Sequence, residues 1–253
     1  MIPIQILRVL STIRQYDVPA LLMGGQACVL YGAAEYSRDL DLAVLATNEA
    51  LPRLTAAMQA LRATVIAVPP FELQFLSRGH VVHFSVPHET EPTVGTPLRV
   101  DIMSRMRGVA PFDALWERRT IITLSDDARS TDVTVEVMAL EDLVAAKKTQ
   151  RDKDWPMLRR LVDASYDSAR DGDASAEQVT FWLAELRSPE FLREAISRFP
   201  SDAVRSSRPA VVAAMAGRDV GDALASEQST EMAADRAYWE PLRRELESLR
   251  HAA

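Results

Sequence analysis

Residues 21–45, LLMGGQACVLYGAAEYSRDLDLAVL, decide the fold of this chain. The apolar run at residues 20–23 predicts a strand that ends directly before Gly24 and Gly25. The spacing of the apolar residues then predicts a short helix over 26–34 and a second strand over 40–46. A glycine pair between a strand and a helix lets the backbone approach a phosphate, although such a pair is more often a simple turn.

Asp39 and Asp41 lie at the beginning of the second strand. Residues two apart in a strand point to the same face of the sheet, so we expect these carboxylates to project side by side. Adjacent anions repel one another, and this arrangement is tolerated mainly where a cation lies between them. Because Mg2+ binds carboxylate oxygens, the pattern predicts a Mg2+ site. The alternative interpretation is a solvated strand edge.

The composition of the chain argues against several classes of protein. The 253 residues carry a formal net charge of −7, which argues against a broad nucleic-acid-coating surface but leaves room for a local basic groove. The single cysteine, Cys28, cannot form an intramolecular disulfide, and no secretion signal is recognisable. No apolar run is long enough to cross a bilayer. We therefore expect a cytoplasmic protein with no membrane partner.

A third carboxylate is predicted on a hairpin. Apolar residues predict a strand over 64–68. They also predict two strands of a hairpin over 80–86 and 97–104, and the second of these two presents Asp101 in an apolar frame. If the two strands pair, His80 could approach Asp101 across the hairpin. An ordinary hydrogen-bonded histidine is the commoner alternative.

Helical periodicity takes over from about residue 139. Pro200 is predicted to stop one helix, and Pro241 is predicted to interrupt the last one. The small and polar segment 168–176, SARDGDASA, is typical of a boundary. We predict a mixed α/β domain over 1–168 and an all-helical C-terminal region over 177–253. That region could serve as an acceptor-binding lid or as an oligomer interface.

These motifs resemble those of the minimal nucleotidyltransferase superfamily, which is related in fold to DNA polymerase beta. The superfamily's pattern is an apolar residue, Gly, then Gly or Ser, a spacer, Asp-apolar-Asp-apolar, and a later acidic residue on a strand. The matching segments, with thirteen residues between Gly25 and Asp39, are Met23-Gly24-Gly25, Asp39-Leu40-Asp41-Leu42 and Val100-Asp101-Ile102. The resemblance covers roughly residues 18–165.

The resemblance implies a nucleotidyltransferase fold that binds a nucleoside triphosphate through its phosphates and Mg2+. Asp39 and Asp41 would hold the metal, with two ions expected. Asp101 would complete the second metal site or activate the incoming hydroxyl. Gly24 and Gly25 would contact the phosphates. Two metals a few ångström apart can stabilise both the attacking and the leaving oxygen of an in-line displacement.

One position departs from the superfamily's pattern. Many relatives carry Arg-x-Thr or Arg-x-Ser just before the first catalytic Asp. Ser37 fits this pattern, whereas Glu35 occupies the basic position. Arg38, directly before Asp39, is a candidate substitute for the missing base. We therefore include Ser37 and Arg38 among the candidate nucleotide contacts.

A second charged cluster lies between Leu140 and Asp154. It is similar to the Leu-Glu-Asp-Leu, Lys, Arg, Lys-Asp series found after the sheet in nucleotidyltransferases associated with toxin–antitoxin systems. Lys147 and Arg151 are four residues apart and would share one helix face, which favours them as phosphate contacts. The alternative is a solvated helix face with Asp154 as a helix cap.

The function that this resemblance implies is Mg2+-dependent transfer of a nucleoside monophosphate from a nucleoside triphosphate to an acceptor hydroxyl. The acceptor could be RNA, a protein or a small molecule, and a toxin–antitoxin or defence role is expected. The alternative is a catalytically silent nucleotide-binding or partner-binding protein of the same fold. Glu35 favours this alternative, whereas the presence of all three carboxylates opposes it.

Overall fold

The computed structural model describes residues 3–88, 96–126, 131–170 and 172–252. The described residues form seven strands and twelve helices. The strands are β1 (Ala20–Met23), β2 (Leu40–Val44), β3 (Thr64–Val65), β4 (Val82–Val86), β5 (Leu98–Met103), β6 (Thr120–Asp126) and β7 (Thr131–Val137). The helices are α1 (Ile4–Gln15), α2 (Gly24–Leu30), α3 (Ala50–Ala60), α4 (Leu73–Arg78), α5 (Phe112–Arg118), α6 (Leu140–Ala146), α7 (Asp154–Ser168), α8 (Ala176–Glu185), α9 (Pro189–Arg198), α10 (Pro200–Arg205), α11 (Pro209–Met215) and α12 (Val220–Ala252). Among these described residues, no helix combines the length and the apolar character needed to cross a membrane.

The strands form a single mixed sheet with the order β3-β4-β5-β2-β1-β7-β6. β1 pairs with β2 in antiparallel orientation and with β7 in parallel orientation, and β2 pairs with β5 in parallel. The other neighbours, β3 with β4, β4 with β5 and β6 with β7, are antiparallel. This mixed sheet, followed by a helical C-terminal region, confirms the predicted α/β fold class.

The strands in the middle of the sheet carry its most buried side chains. Leu22 of β1, Leu40 of β2 and Val100 of β5 have no solvent exposure. Strands covered on both faces are expected to be continuously apolar, because neither face is in contact with water. Asp41 of β2 and Asp101 of β5 are half-buried exceptions to this composition. Carboxylates at such positions need a local partner, since burial of an unpaired charge is unfavourable.

The chain divides into two compact units. The first comprises Met1–Leu30, Ala34–Leu143 and Glu240–Ala253, and it contains the whole sheet. The second comprises Tyr31–Ala33 and Val144–Trp239, and its regular structure is helical. The boundary predicted at residues 168–176 falls inside the second unit, and the domain division at that point stays a prediction.

Aromatic packing forms part of the core of the second unit. Tyr166 and Trp182 are fully buried and meet edge to face, with ring centroids 5.2 Å apart. A capping box fixes the start of α8: the Ser175 hydroxyl accepts a hydrogen bond from the Gln178 N–H, and the Gln178 side chain accepts one from the Ser175 N–H. The aromatic pair is part of an apolar core within the second unit. The capping box stabilises the first turn of α8.

Candidate active site

The glycine turn, which is Gly24 and Gly25 at the start of α2 directly after β1, brings the backbone into close contact with two polar side chains. Gly24 has a φ of +66°. A Cβ atom at Gly24 would lie 1.9 Å from Asp41 Oδ2, and one at Gly25 would lie 2.3 Å from Ser37 Oγ. Two effects exclude a side chain at residue 24: the left-handed backbone conformation and the close approach of the Asp41 carboxylate.

Asp41 is held beside this turn by the register of the central strands. Its strand neighbours are Met23 of β1 and Asp101 of β5. The Gly25 N–H donates a long hydrogen bond of 3.4 Å to Asp41 Oδ2. Asp39 is exposed and lies one residue before β2, which begins at Leu40 rather than at Asp39. The two carboxylates therefore flank the first residue of β2.

The loop before Asp39 is anchored to α2 by Gln26, a residue that the sequence analysis did not identify. Gln26 is buried, and its Nε2 donates a 2.7 Å hydrogen bond to the Ser37 carbonyl. Ser37 Oγ donates in turn to the Asp39 carbonyl at 3.3 Å. Arg38 lies between these two residues and is exposed. The loop thus places Ser37 against the glycine turn and leaves Arg38 accessible.

Asp101 has two close partners on its own face of the sheet. His83 of β4 is its direct antiparallel neighbour, and Arg99 precedes it by two residues on β5. Asp101 Oδ1 lies 2.8 Å from His83 Nδ1 and accepts a hydrogen bond of 2.8 Å from Arg99 Nε. Arg99 Nη2 also lies 3.0 Å from His83 Nδ1. The three side chains form a closed polar group.

The charges of this group stabilise one another. Burial raises the pKa of Asp101, but the hydrogen bonds with His83 and Arg99 outweigh burial and leave that pKa below its ordinary value. The hydrogen bond to Asp101 raises the pKa of Arg99. The negative charges of Asp39 and Asp41 act on the Arg99 pKa in the same direction. Asp101 is therefore an ionised carboxylate with a cationic partner.

His80 is an ordinary hydrogen-bonded histidine, which is the commoner of the two alternatives given by the sequence. It lies before β4, is 2% exposed, and its Nε2 is 2.7 Å from Oε2 of Glu245. β4 begins at Val82, so the histidine that reaches Asp101 is His83. The less common alternative, an approach of His80 to Asp101, does not occur, because the register of β4 and β5 places His83 opposite Asp101.

Lys147 and Arg151 belong to the second unit, where both contact Asp154. Lys147 Nζ lies 3.3 Å from Asp154 Oδ1, and Arg151 Nε lies 2.8 Å from Asp154 Oδ2. Thr149 Oγ1 donates to the same Oδ2 at 2.6 Å. Burial raises the pKa of Asp154, but Lys147 and the other partners lower it below the ordinary value. Asp154 thus organises the segment from Lys147 to Arg151.

Asp154 is not the N-cap of α7, in contrast to the predicted helix cap. It is the first residue of the helix, the N-cap position is Lys153, and no side-chain cap is present there. The Asp154 side chain turns back to the preceding loop instead, where three donors surround it. The roles of Lys147 and Arg151 as phosphate contacts stay predictions.

Asp39 and Asp41 fit the requirements of a Mg2+ ion. Both supply hard carboxylate oxygens, Asp39 is exposed, and Asp41 is held at the glycine turn. Within the described parts of the chain, no group of three or more His, Cys, Asp or Glu side chains is arranged to hold a metal ion. The third predicted ligand, Asp101, contacts Arg99 and His83, and its role as a metal ligand stays a prediction.

The amino-acid sequence of this chain matches a known protein family. The family described as nucleotidyl transferase AbiEii toxin, type IV toxin–antitoxin system, matches residues 8–149, which is more than half of the chain. No curated protein sequence matches.

Three solved structures align over most of their own length. An antigenic nucleotidyltransferase-like protein from Paracoccidioides brasiliensis aligns with a TM-score of 0.44 and 14% identity, covering 84% of this chain and 91% of that one. The solution structure of the antibiotic-resistance factor ANT(2'')-Ia gives a TM-score of 0.35 and 12% identity, covering 79% and 92%. The crystal structure of ANT(2'')-Ia with adenylyl-2''-tobramycin gives 0.34 and 13%, covering 77% and 94%.

The motif residues at the glycine turn, Asp39 and Asp41 all lie within the matched segment 8–149. The predicted superfamily is confirmed, as is its branch associated with toxin–antitoxin systems. The chain belongs to the AbiEii family of nucleotidyltransferase toxins from type IV toxin–antitoxin systems, and it is a nucleotidyltransferase.

Proposed function

We propose that this protein transfers a nucleoside monophosphate from a nucleoside triphosphate to an acceptor hydroxyl, with Mg2+ as cofactor and pyrophosphate as the other product. The observation that carries the proposal is the contact between the glycine turn and Asp41. The Asp41 carboxylate lies so close to Gly24 that a single methyl group would collide with it. Asp101 is next to Asp41 in register on β5.

Five residues of the first unit have assigned roles in this proposal. Asp39 and Asp41 hold Mg2+, and two ions are expected. Asp101 either completes a second metal position or acts on the acceptor hydroxyl. Gly24 and Gly25 contact the phosphates through their backbone. When bound, Mg2+ would neutralise charge on the triphosphate and polarise the phosphorus that is attacked.

Four further side chains are proposed contacts of the nucleotide. Ser37 lies against Gly25, and Arg38 is an exposed cation directly before Asp39. Lys147 and Arg151 are the corresponding candidates in the second unit. Their pairing with Asp154 fixes the positions of both cationic groups. Chemistry of this type depends mainly on positioning and on charge neutralisation, which such fixed cations can supply.

The proposed setting is a cytoplasmic toxin whose acceptor is RNA, a protein or a small molecule. Each class offers a hydroxyl that could attack the α-phosphorus. The net charge of −7 disfavours extensive contacts to a long nucleic acid, because such contacts rely on neutralisation of many phosphates. A short RNA end remains compatible with a local group of cations.

The test is a labelling screen. Purified protein is incubated with Mg2+ and each of the four α-phosphate-labelled ribonucleoside triphosphates, in the presence of total RNA, a protein extract or a set of hydroxylated small molecules. Label on one acceptor class in the wild type, and its loss in Asp41→Asn, would support the proposal. Asp113→Asn is a matched control, because it makes the same chemical change at an exposed position of α5. Undiminished labelling by Asp41→Asn would contradict the assigned site.

A further inference from the structure

The segment between α6 and α7, residues 147–153 of the second unit, carries Lys147 and Arg151. It belongs to neither helix, so regular helical hydrogen bonds do not fix its backbone. A backbone outside helices and strands depends on individual partners for its polar groups. The positions of Lys147 and Arg151 therefore depend on the groups that hold this segment.

Most backbone N–H groups of this segment have partners close by in the sequence. From Lys147 to Arg151, four of the five successive N–H groups donate to acceptors within residues 144–149. The fifth, the Gln150 N–H, donates to Asp235 Oδ2 at 2.8 Å. Asp235 lies 85 positions later in the chain, on α12. This hydrogen bond therefore ties the middle of the segment to a helix that is remote in sequence.

Asp235 is itself held in place on α12. It is 3% exposed. Each of its two carboxylate oxygens has a donor: Oδ2 accepts from the Gln150 N–H, and Oδ1 accepts from Trp239 Nε1 at 3.0 Å. Trp239 lies four residues further along α12, on the same helix face, so it orients the carboxylate independently of the segment. Because hydrogen bonds to a carboxylate are stronger than those between neutral groups, Asp235 is a strong anchor for Gln150.

The side chains on either side of Gln150 are held at the same time by a different carboxylate. The Thr149 hydroxyl and Arg151 Nε both donate to Asp154 Oδ2. Asp154 thus fixes side chains of the segment, whereas Asp235 fixes the backbone between Thr149 and Arg151. The Arg151 side chain is still 58% exposed and accessible to a ligand.

We propose that Asp235 is a positioning residue for nucleotide binding: it holds the backbone at Gln150 so that Lys147 and Arg151 present their charges to the triphosphate. This inference rests on the proposed function, which assigns those two cations to the nucleotide. A segment that is held before the nucleotide arrives loses less conformational freedom on binding, and its affinity is higher for that reason. The inference gives α12 a part in nucleotide binding, beside the acceptor-binding and oligomer roles expected of the C-terminal region.

The first experiment measures phosphate binding without any transfer. Inorganic tripolyphosphate carries the three phosphates that all four nucleoside triphosphates share, and it is titrated with Mg2+ into purified protein by isothermal titration calorimetry. Asp235→Leu and Asp235→Ala both remove the acceptor, and the first keeps most of the side-chain volume. We expect each to weaken binding about tenfold, because the Gln150 N–H is left without its partner. Circular dichroism of each variant checks that it is folded.

Two further variants separate the two hydrogen bonds of Asp235. Trp239→Phe removes the donor to Oδ1 and leaves the bond to Gln150, so binding should stay close to that of the wild type. Asp235→Asn/Trp239→Phe should recover most of the affinity lost in Asp235→Leu, because the asparagine oxygen can accept from the Gln150 N–H without a competing donor. Wild-type affinity in Asp235→Leu, a loss in Trp239→Phe as large as in Asp235→Leu, or failure of the double variant to recover affinity would overturn the proposal.

Amide hydrogen exchange of the wild type supplies a test that needs no variant. Without ligand, the Gln150 N–H should exchange as slowly as the N–H groups inside α7, because exchange requires its separation from a buried carboxylate. Rapid exchange at Gln150 would overturn the proposal.

Steady-state kinetics distinguish positioning from structural support. With the acceptor found in the labelling screen, Asp235→Leu should raise the KM for the nucleoside triphosphate about tenfold and leave kcat within about twofold of the wild type, since this pattern marks a loss of binding alone. A residue that only stabilises the fold would instead lower the amount of active protein, and so the apparent kcat, at unchanged KM. That result would overturn the positioning role.

Failure of this inference can be distinguished from failure of the proposed function. Absence of transfer by the wild type on every acceptor class would defeat the proposed function, whereas tripolyphosphate binding and amide exchange would still decide the role of Asp235. Transfer by a wild type that does not bind tripolyphosphate would overturn this inference alone.

Discussion

Replacement of Gly24 by alanine is the most informative single change at the glycine turn, because two separable penalties act there. The φ of +66° costs an alanine about 1–2 kcal/mol relative to glycine. The added Cβ would lie 1.9 Å from Asp41 Oδ2, so the carboxylate must move, and overpacking of this kind costs about 1–3 kcal/mol. We expect a total loss of about 2–5 kcal/mol in the free energy of unfolding and nearly complete loss of transfer.

Two further glycines provide matched controls for Gly24→Ala. Gly32 has a φ of +75°, and a methyl group added there would meet nothing within 4 Å, so Gly32→Ala should lose only the conformational share, about 1–2 kcal/mol. Gly25 has no positive φ, but its Cβ would lie 2.3 Å from Ser37 Oγ. Gly25→Ala should therefore show the steric penalty alone.

Urea unfolding at pH 7 gives the stabilities, and the labelling screen gives the activities of the same preparations. The order of destabilisation should place Gly24→Ala above both controls. A Gly24→Ala protein that is as stable as Gly32→Ala and transfers label normally would refute the close approach of Asp41 to the turn.

The remaining predictions concern buried polar contacts in both units. Asp154→Ala should destabilise the protein by about 3–5 kcal/mol in urea unfolding at pH 7, because it leaves the largely buried Lys147 ammonium without its partner; a loss below about 1 kcal/mol would show that the pair is not effectively buried. The pKa of Asp154 is lower in the folded than in the unfolded protein, so the stabilisation by its carboxylate is present above the unfolded pKa and lost as the pH falls through the folded pKa. The difference in stability between Asp154→Ala and the wild type should therefore shrink as the pH falls below about 4. A difference that persists at low pH would contradict the lowered pKa. Gln26→Leu should cost about 1–2 kcal/mol and lower kcat, because the Ser37 carbonyl loses its donor; unchanged kcat would show that the loop before Asp39 needs no anchor.

The central strands were predictable because burial on both faces leaves an unambiguous apolar pattern. The run at residues 20–23 predicted β1 with the boundaries that the structure shows. Strands at the edge are harder, since they are shorter and partly exposed. The strand predicted over residues 64–68 is reduced to Thr64–Val65, and α4, Leu73–Arg78, was not predicted. A helix of six residues offers too few turns for periodicity to be recognised.

Two prolines show what sequence can and cannot predict at a helix end. Pro200 was predicted to stop a helix, and α9 does end at Arg198, but Pro200 is also the first residue of α10. The first turn of a helix accepts proline because the missing N–H has no partner there in any case. Pro241 was expected to interrupt the last helix, yet α12 continues through it from Val220 to Ala252. Sequence alone indicates that proline is present but not which side of it becomes helical.

The carboxylates of the site were predictable from motif spacing, whereas their partners were not. Asp41 and Asp101 stand out as acidic residues within apolar strands. The pairing of Asp101 with His83 depends on the register between β4 and β5, and a shift of one residue would turn His83 to the other face. No local pattern fixes that register. The position of Gln26, a polar residue near the start of an otherwise apolar helix, gave a weak indication of its role.

The most direct test of the central claim compares the fate of two labels. The wild type, Asp41→Asn and Asp113→Asn are incubated with Mg2+, the acceptor class found in the screen, and the preferred nucleoside triphosphate labelled at either its α- or its γ-phosphate. Nucleotidyl transfer at the site predicts that the α-label appears on the acceptor and the γ-label in pyrophosphate. Both should be lost only in Asp41→Asn. Transfer of the γ-label to the acceptor, or full α-label transfer by Asp41→Asn, would contradict the account.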